Sequence, residues 1–174
     1  MTGAPAPGLF DADTRWMREA LKLAREARAE GEVPVGAVVV AGGRLLGKGK
    51  NQIETLGDPT AHAEILAIGA AAAAAGEPRL VGATLYTTLE PCVMCSGAIV
   101  LARIARVVYA AEDPRAGACG SVYDIPRDPR LNHRALVSGG LLAAESSFLL
   151  RSFFDALREG GGDPTPGLGS RRGE

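Results

Sequence analysis

The sequence predicts an α/β fold, a three-layer α/β/α sandwich around one mixed central sheet. Runs of β-branched apolar residues alternate with helix-period stretches along the chain, a pattern that places helices on both faces of a sheet. Two of the runs, Gly36–Val40 and Arg44–Lys48, are joined by Gly42-Gly43 and read as a β-hairpin, so part of the sheet is antiparallel. The chain has 174 residues and is 47% apolar, enough for a single domain with a buried core.

The first helix follows from Trp16, Ala20, Leu23, Ala24 and Ala27, with Asp13 or Thr14 placed to cap its start and Gly31 to stop it. After the hairpin a second helix is expected from about Thr60 to Ala75, where the run Ala70–Ala75 continues a helical pattern. Ala83–Thr88 reads as a strand, Pro91 to about Ala102 as a third helix and Arg106–Ala110 as a strand. An irregular stretch with several Pro and Gly follows, then a last helix from about Leu141 to Arg158. The two ends, residues 1–12 and 160–174, carry too little apolar surface to order themselves and are expected to be disordered tails around one domain, 13–159.

Bulk charge narrows the function classes. The formal net charge is −1, without the basic excess usual in nucleic-acid binders, so any RNA contact must be local, and the bulk numbers neither support nor exclude it. No apolar run reaches the roughly 20 residues a membrane-spanning helix needs, and the N-terminus lacks the features of a secretory signal. A cytoplasmic location is therefore expected. Three cysteines argue against a disulfide framework, and the Cys92-x-x-Cys95 spacing suits metal or redox chemistry better.

The chemistry concentrates in two segments, Asp58-Pro-Thr-Ala-His62-Ala-Glu64 and Glu90-Pro-Cys92-Val-Met-Cys95. Pro91 is suited to the first turn of a helix, which would set Cys92 and Cys95 three apart on one face of that turn. Free N–H groups and the positive end of the helix dipole lower thiol pKa values there, so both sulfurs can bind metal as thiolates. His62 lies near another helix start. One imidazole and two thiolates are a normal zinc set, and three protein ligands leave the fourth tetrahedral position to water. Glu64 stands two residues from His62, close enough to move that water's proton without ligating the metal.

His-x-Glu followed by Pro-Cys-x-x-Cys resembles the signature of the zinc nucleobase deaminases. Glu32–Val38, Asp58–Ile65, Thr84–Cys95 and Asn132-His133-Arg134 further resemble the bacterial tRNA adenosine deaminases, from about Trp16 to Arg158. That resemblance implies the cytidine-deaminase-like sandwich, one Zn²⁺ per subunit, a homodimer, and a tRNA anticodon stem-loop whose wobble adenosine becomes inosine. It also implies substrate contacts: Asn51 bonding the flipped base, Val35 and Leu89 lining its pocket, and Asp113 touching the neighbouring nucleotide. Phe153, Phe154 and the arginines of the last helix would lie near the RNA. Lys50 and Cys119 depart from the family's usual residues, and neither belongs to the metal set.

Other readings stand beside these. Cys119 could complete a structural Cys₃His site, or be a small buried hydrophobe. Asn51 and Asp113 both sit where turn residues are common, and His133 suits a structural role. Arg151 and Arg158 fit a solvated helix face. A deaminase of free guanine or cytosine bases would carry the same metal motif, and a non-catalytic zinc module is a third class.

Overall fold

The computed structural model describes residues 7–160. The chain order is α1 (Pro7–Ala29), β1 (Gly36–Ala41), β2 (Arg44–Lys50), α2 (Ile53–Leu56), α3 (Ala63–Ala75), β3 (Thr84–Leu89), α4 (Val93–Leu101), β4 (Arg106–Ala111), β5 (Leu136–Gly139) and α5 (Ala143–Glu159). The five strands form one sheet in the order β2-β1-β3-β4-β5. β1 runs antiparallel to both β2 and β3, whereas β3, β4 and β5 are parallel to one another. The sheet is mixed, as the hairpin requires.

Side chains alternate along each strand, so the sheet carries two separate apolar layers. On one face Val38, Val40, Tyr86 and Val108 meet Trp16, Met17 and Leu21 of α1. On the other, Val39, Leu85 and Val107 meet Ala67 and Ile68 of α3 and Ile99 of α4. α5 joins α1 on the first face, where the Ser146 hydroxyl donates to the Thr88 carbonyl at the end of β3. The result is three layers.

Four details differ from the expectation. The helix α1 begins at Pro7, within the segment expected to be a tail; residues 1–6 and 161–174 of the two expected tails lie outside the described residues. Asp13 is therefore no cap. It is buried inside the helix and accepts two hydrogen bonds from Arg106, at 2.8 and 2.5 Å, and one from the Tyr86 hydroxyl at 2.7 Å. The Arg106 guanidinium holds the Asp13 carboxyl below the usual carboxylate range despite its burial. Pro91 precedes α4 instead of opening it, and Cys92 is the N-cap residue. The irregular stretch contains β5, a short edge strand that leaves Leu136 exposed, and the hairpin is followed by the single-turn α2.

One packing contact sets the position of α3. Ala63, Ala67 and Ala71, four apart, form a buried stripe that lies against Gly47 and Gly49 of β2. A methyl group added at Gly49 would stand 2.3 Å from the Ala63 carbonyl oxygen and 2.6 Å from the Ala67 nitrogen, and one at Gly47 would be 2.4 Å from the Ala67 carbonyl. Small residues on both sides bring the helix backbone onto the strand, and the helix carries Glu64 with it. Gly69, by contrast, points into open space. We predict that Gly49→Ala destabilises the fold by about 1–3 kcal/mol through overpacking. Gly69→Ala should stabilise it by about 0.5–1 kcal/mol by raising helix propensity. Urea unfolding checks both, and a Gly49→Ala protein as stable as the parent would contradict this packing.

Candidate active site

Two helix starts build the site. His62 is the N-cap residue of α3 and Cys92 that of α4, with nearly the same backbone: φ −72°, ψ 150° and φ −73°, ψ 178°. An N-cap residue in extended conformation normally turns its side chain back to accept from the first helical N–H groups. Neither does so here. Both side chains instead turn toward each other and toward Cys95, one turn into α4.

The three donor atoms fit a single metal ion. His62 Nδ1 lies 3.7 Å from Cys92 Sγ and 3.6 Å from Cys95 Sγ, and all three donors lie within 4.8 Å of one another. Zinc bonds of about 2.0 Å to nitrogen and 2.3 Å to sulfur, at the tetrahedral angle, give an N···S edge of about 3.5 Å. Cys119 does not join the cluster. It is buried beside the Ser96 hydroxyl, at 3.5 Å, and burial pushes its thiol up to about 12. A structural Cys₃His site is therefore not what these side chains make.

The thiols are strongly differentiated. The Cys95 thiol hydrogen-bonded to Cys92, with His62 beside it, brings the Cys92 thiol down to about 3. Cys95 is pushed up, by that same bond and by burial. The hydrogen bond to Cys92 raises His62, against the opposing effect of its burial.

Glu64 sits in the first turn of α3 and is 4% exposed. Its Oε1 accepts from the Thr87 hydroxyl at 3.3 Å, and its Oε2 lies 3.6 Å from Cys95 Sγ. Burial raises its carboxyl above the ordinary value.

A cavity of about 230 Å³ opens over this cluster, lined by His62, Glu64, Cys92, Asn51, Val35, Leu89 and Asp113 among others. The structure thus brings all eight residues singled out in the sequence to one place: seven line the cavity and Cys95 closes the metal set behind them. Asp113 has two environments at once. It lines the cavity, and its Oδ1 accepts from the N–H groups of Arg115 and Ala116, so the turn reading holds as well. Lys50 points away, paired with Glu30 at 2.5 Å. His133 bonds the Ile104 carbonyl at 2.7 Å, a structural role.

Sequence reasoning missed Glu90. Its carboxylate is 1% exposed and accepts from the N–H groups of Asp113, Cys119 and Ser121, each at 3.0 Å, and from the Ser121 hydroxyl. One side chain next to the Pro91-Cys92 pair thereby fixes the loop that supplies Asp113 and Ala116 to the cavity wall. The available signal was a charged residue directly after the buried strand β3. Cavity-lining Val33 and Ile53 were also missed, since periodicity does not separate core from pocket.

We predict that iodoacetamide at pH 6 labels Cys92 of the metal-stripped protein ahead of Cys95 and Cys119, and that added zinc suppresses the labelling. Peptide mapping by mass spectrometry checks this; equal labelling of the three cysteines would contradict the thiol assignment.

Comparison with known proteins agrees with this geometry. Residues 11–111 match the family described as the cytidine and deoxycytidylate deaminase zinc-binding region. The chain is 46% identical over 147 residues to the tRNA-specific adenosine deaminase of Bacillus subtilis (strain 168), covering 84% of this chain and 91% of the relative. A solved structure from studies of A-to-I editing by tRNA:A34 deaminases at the wobble position superposes with a TM-score of 0.76 at 46% identity, covering 79% of this chain and 99% of the other. A guanine deaminase from Nitrosomonas europaea superposes with a TM-score of 0.67 at 29% identity, covering 88% and 94%. An imidazole and two cysteine sulfurs at two helix starts, a buried carboxylate beside them and this match lead to one conclusion: the chain belongs to the zinc-dependent cytidine and deoxycytidylate deaminase family.

Proposed function

We propose that this protein hydrolyses the exocyclic amino group of adenosine at the wobble position of a tRNA anticodon, leaving inosine and releasing ammonia. The observation that carries the reading is Glu64, a buried carboxylate two residues from one metal ligand and 3.6 Å from another. The identity to tRNA-specific adenosine deaminases, 44–47% among the relatives compared, supports adenosine in tRNA as the substrate over a free base. The relatives named for guanine chemistry are more distant, at 27–30%.

In this reading His62, Cys92 and Cys95 hold one Zn²⁺. The ion, when bound, lowers the pKa of a water molecule to about 7 and makes it a nucleophile for C6 of the purine. Glu64 takes a proton from the attacking water and delivers it to N1. It then takes the proton of the new C6 hydroxyl as the C6=O bond forms and passes it to the departing amine, which leaves as ammonia, so one carboxyl group serves as base and acid in turn. Its raised pKa suits that double role, because the group must hold the proton between the two transfers. Thr87 keeps the carboxylate oriented from behind. Val35 and Leu89 enclose the base and exclude water, Asn51 bonds its edge, and Asp113 meets the adjoining nucleotide.

The cavity is small enough to admit one extruded base, and the anticodon loop outside it is met by local contacts, in keeping with a net charge of −1. The working form we propose is a homodimer. Exposed Val93 and Leu101 on α4, with exposed Leu131 beside Leu101, support that reading. Among the described residues no helix is long and apolar enough to cross a membrane, and the place of action proposed is the cytoplasm, where tRNA is found.

The test is deamination of an anticodon stem-loop against free guanine, cytosine and adenosine, with inosine measured directly. The expected result is turnover of the stem-loop and little of the free compounds. Glu64→Gln should lower kcat by about 10²–10⁴-fold while zinc content stays at one per chain. Rapid turnover of free guanine with none of the RNA would defeat the substrate assignment, and a fully active Glu64→Gln protein would defeat the catalytic one.

A further inference from the structure

Glu32 is an acidic residue with almost no exposure, 1%, and among the described residues it makes no ion pair. It follows α1 and precedes Val33 and Val35, both of which line the cavity, yet it does not line the cavity itself. Its carboxylate accepts three hydrogen bonds. Oε1 takes the Thr55 N–H at 2.7 Å; Oε2 takes the Glu54 N–H and the Asn51 side-chain amide, each at 3.3 Å. Lys50, the sequence neighbour of Asn51, is paired with Glu26 on α1 and with Glu30 just after it.

These partners have two consequences. Glu54 and Thr55 are the second and third residues of α2, whose own N-cap residue, Gln52, makes no side-chain cap. Glu32 therefore supplies from across the chain the acceptor that a capping side chain would normally provide. α2 opens with Ile53, another cavity residue. The second consequence concerns Asn51. The Asn51 side chain turns its NH₂ toward Glu32, donating to a carboxyl group whose two oxygens also accept the N–H groups of Glu54 and Thr55. The backbone of Asn51 is fixed independently, its N–H donating to the Val35 carbonyl at 3.0 Å. With the main chain pinned and one amide hydrogen taken by Glu32, the flip of the amide is decided. What remains for the cavity is the carbonyl oxygen and the second N–H, in a fixed orientation.

We infer that Glu32 is a positioning residue for base recognition: it sets the amide orientation of Asn51 and holds the Ile53 wall of the cavity. The inference rests on the reading above that Asn51 meets the base. Glu32 lies away from the three metal donors, so its effect is on recognition and leaves the zinc set intact. Glu32→Gln keeps size and shape but replaces an acceptor-only group with one that also donates, so both amides can flip and the orientation of Asn51 is lost.

The decisive experiment is a double-mutant cycle with single-turnover deamination of the stem-loop, comparing the parent, Glu32→Gln, Asn51→Ala and the double variant, alongside zinc content. Residues that act through one contact show non-additive effects. The expected result is a loss of about ten-fold in rate at subsaturating RNA for Glu32→Gln, with zinc unchanged and less than about two-fold further loss when it is added to Asn51→Ala. Equal losses in both backgrounds would overturn the inference, because a general structural role would not depend on Asn51. If Glu32→Gln does not fold, Glu32→Asp, which keeps the charge and shortens the reach, takes its place in the cycle. A second readout needs no substrate: the Asn51 side-chain amide protons in ¹⁵N NMR should be distinct and slow to exchange in the parent and lose that protection in Glu32→Gln. Unchanged protection would also overturn the inference. A parent protein inactive on the stem-loop would count against the substrate reading, and the NMR comparison would still decide the role of Glu32.

Discussion

The site depends on two N-cap residues that do not cap. His62 and Cys92 hold nearly identical extended backbone conformations at the starts of α3 and α4, and each directs its side chain away from its own helix. Each helix gives up a side-chain acceptor worth about 0.5–2 kcal/mol in an ordinary protein. What the arrangement supplies in return is a pair of donors converging from two elements, with Cys95 following one turn later on the same helix. The free N–H groups and positive dipole end at the start of α4 favour the thiolate of Cys92, the form a metal needs. Zinc bound there ties α3 to α4, so the metal is also a link between two elements of the outer layer.

The rest of the fold serves to place those two starts. The Gly47 and Gly49 pair on β2 lets the alanine stripe of α3 approach the sheet closely, and the parallel β3–β4 pair brings the end of Leu89 level with Ala111 at the rim of the cavity. Around that rim, two buried carboxylates hold loops by accepting their N–H groups. Glu90 fixes the segment from Asp113 to Ser121, and Glu32 fixes Asn51 and α2. Both are satisfied by directed donors, with no ion pair among the described residues. Such a clamp specifies position well, because a buried acceptor stripped of its donors is costly. At the far end of the sheet, Asp13, Tyr86 and Arg106 join α1 to β3 and β4 in a similar way.

How much of this was legible in the sequence follows from the range of each interaction. The metal set and Glu64 were readable because their spacing is local: Cys92 and Cys95 are one turn apart, and Glu64 is two residues from His62. Helix and strand periods gave the three layers. The hairpin announced a mixed sheet. Glu32 and Glu90 were not readable as clamps, since their partners lie 19 to 31 positions away and a lone glutamate carries no periodic signal. Asp13 has the composition of a cap, and only a partner 93 residues on shows that it is a buried ion-pair member. The strand β5 was hidden for a different reason. It is four residues long and mostly exposed, so it lacks the apolar run by which interior strands are found.

The central claim is that a three-ligand protein site leaves one coordination position to solvent, and zinc K-edge X-ray absorption of the loaded protein tests it most directly. The account predicts two sulfurs at about 2.3 Å, one imidazole nitrogen at about 2.0–2.1 Å and one further light atom from solvent. A shell with a third sulfur, or with a fourth protein donor in the solvent's place, would contradict it.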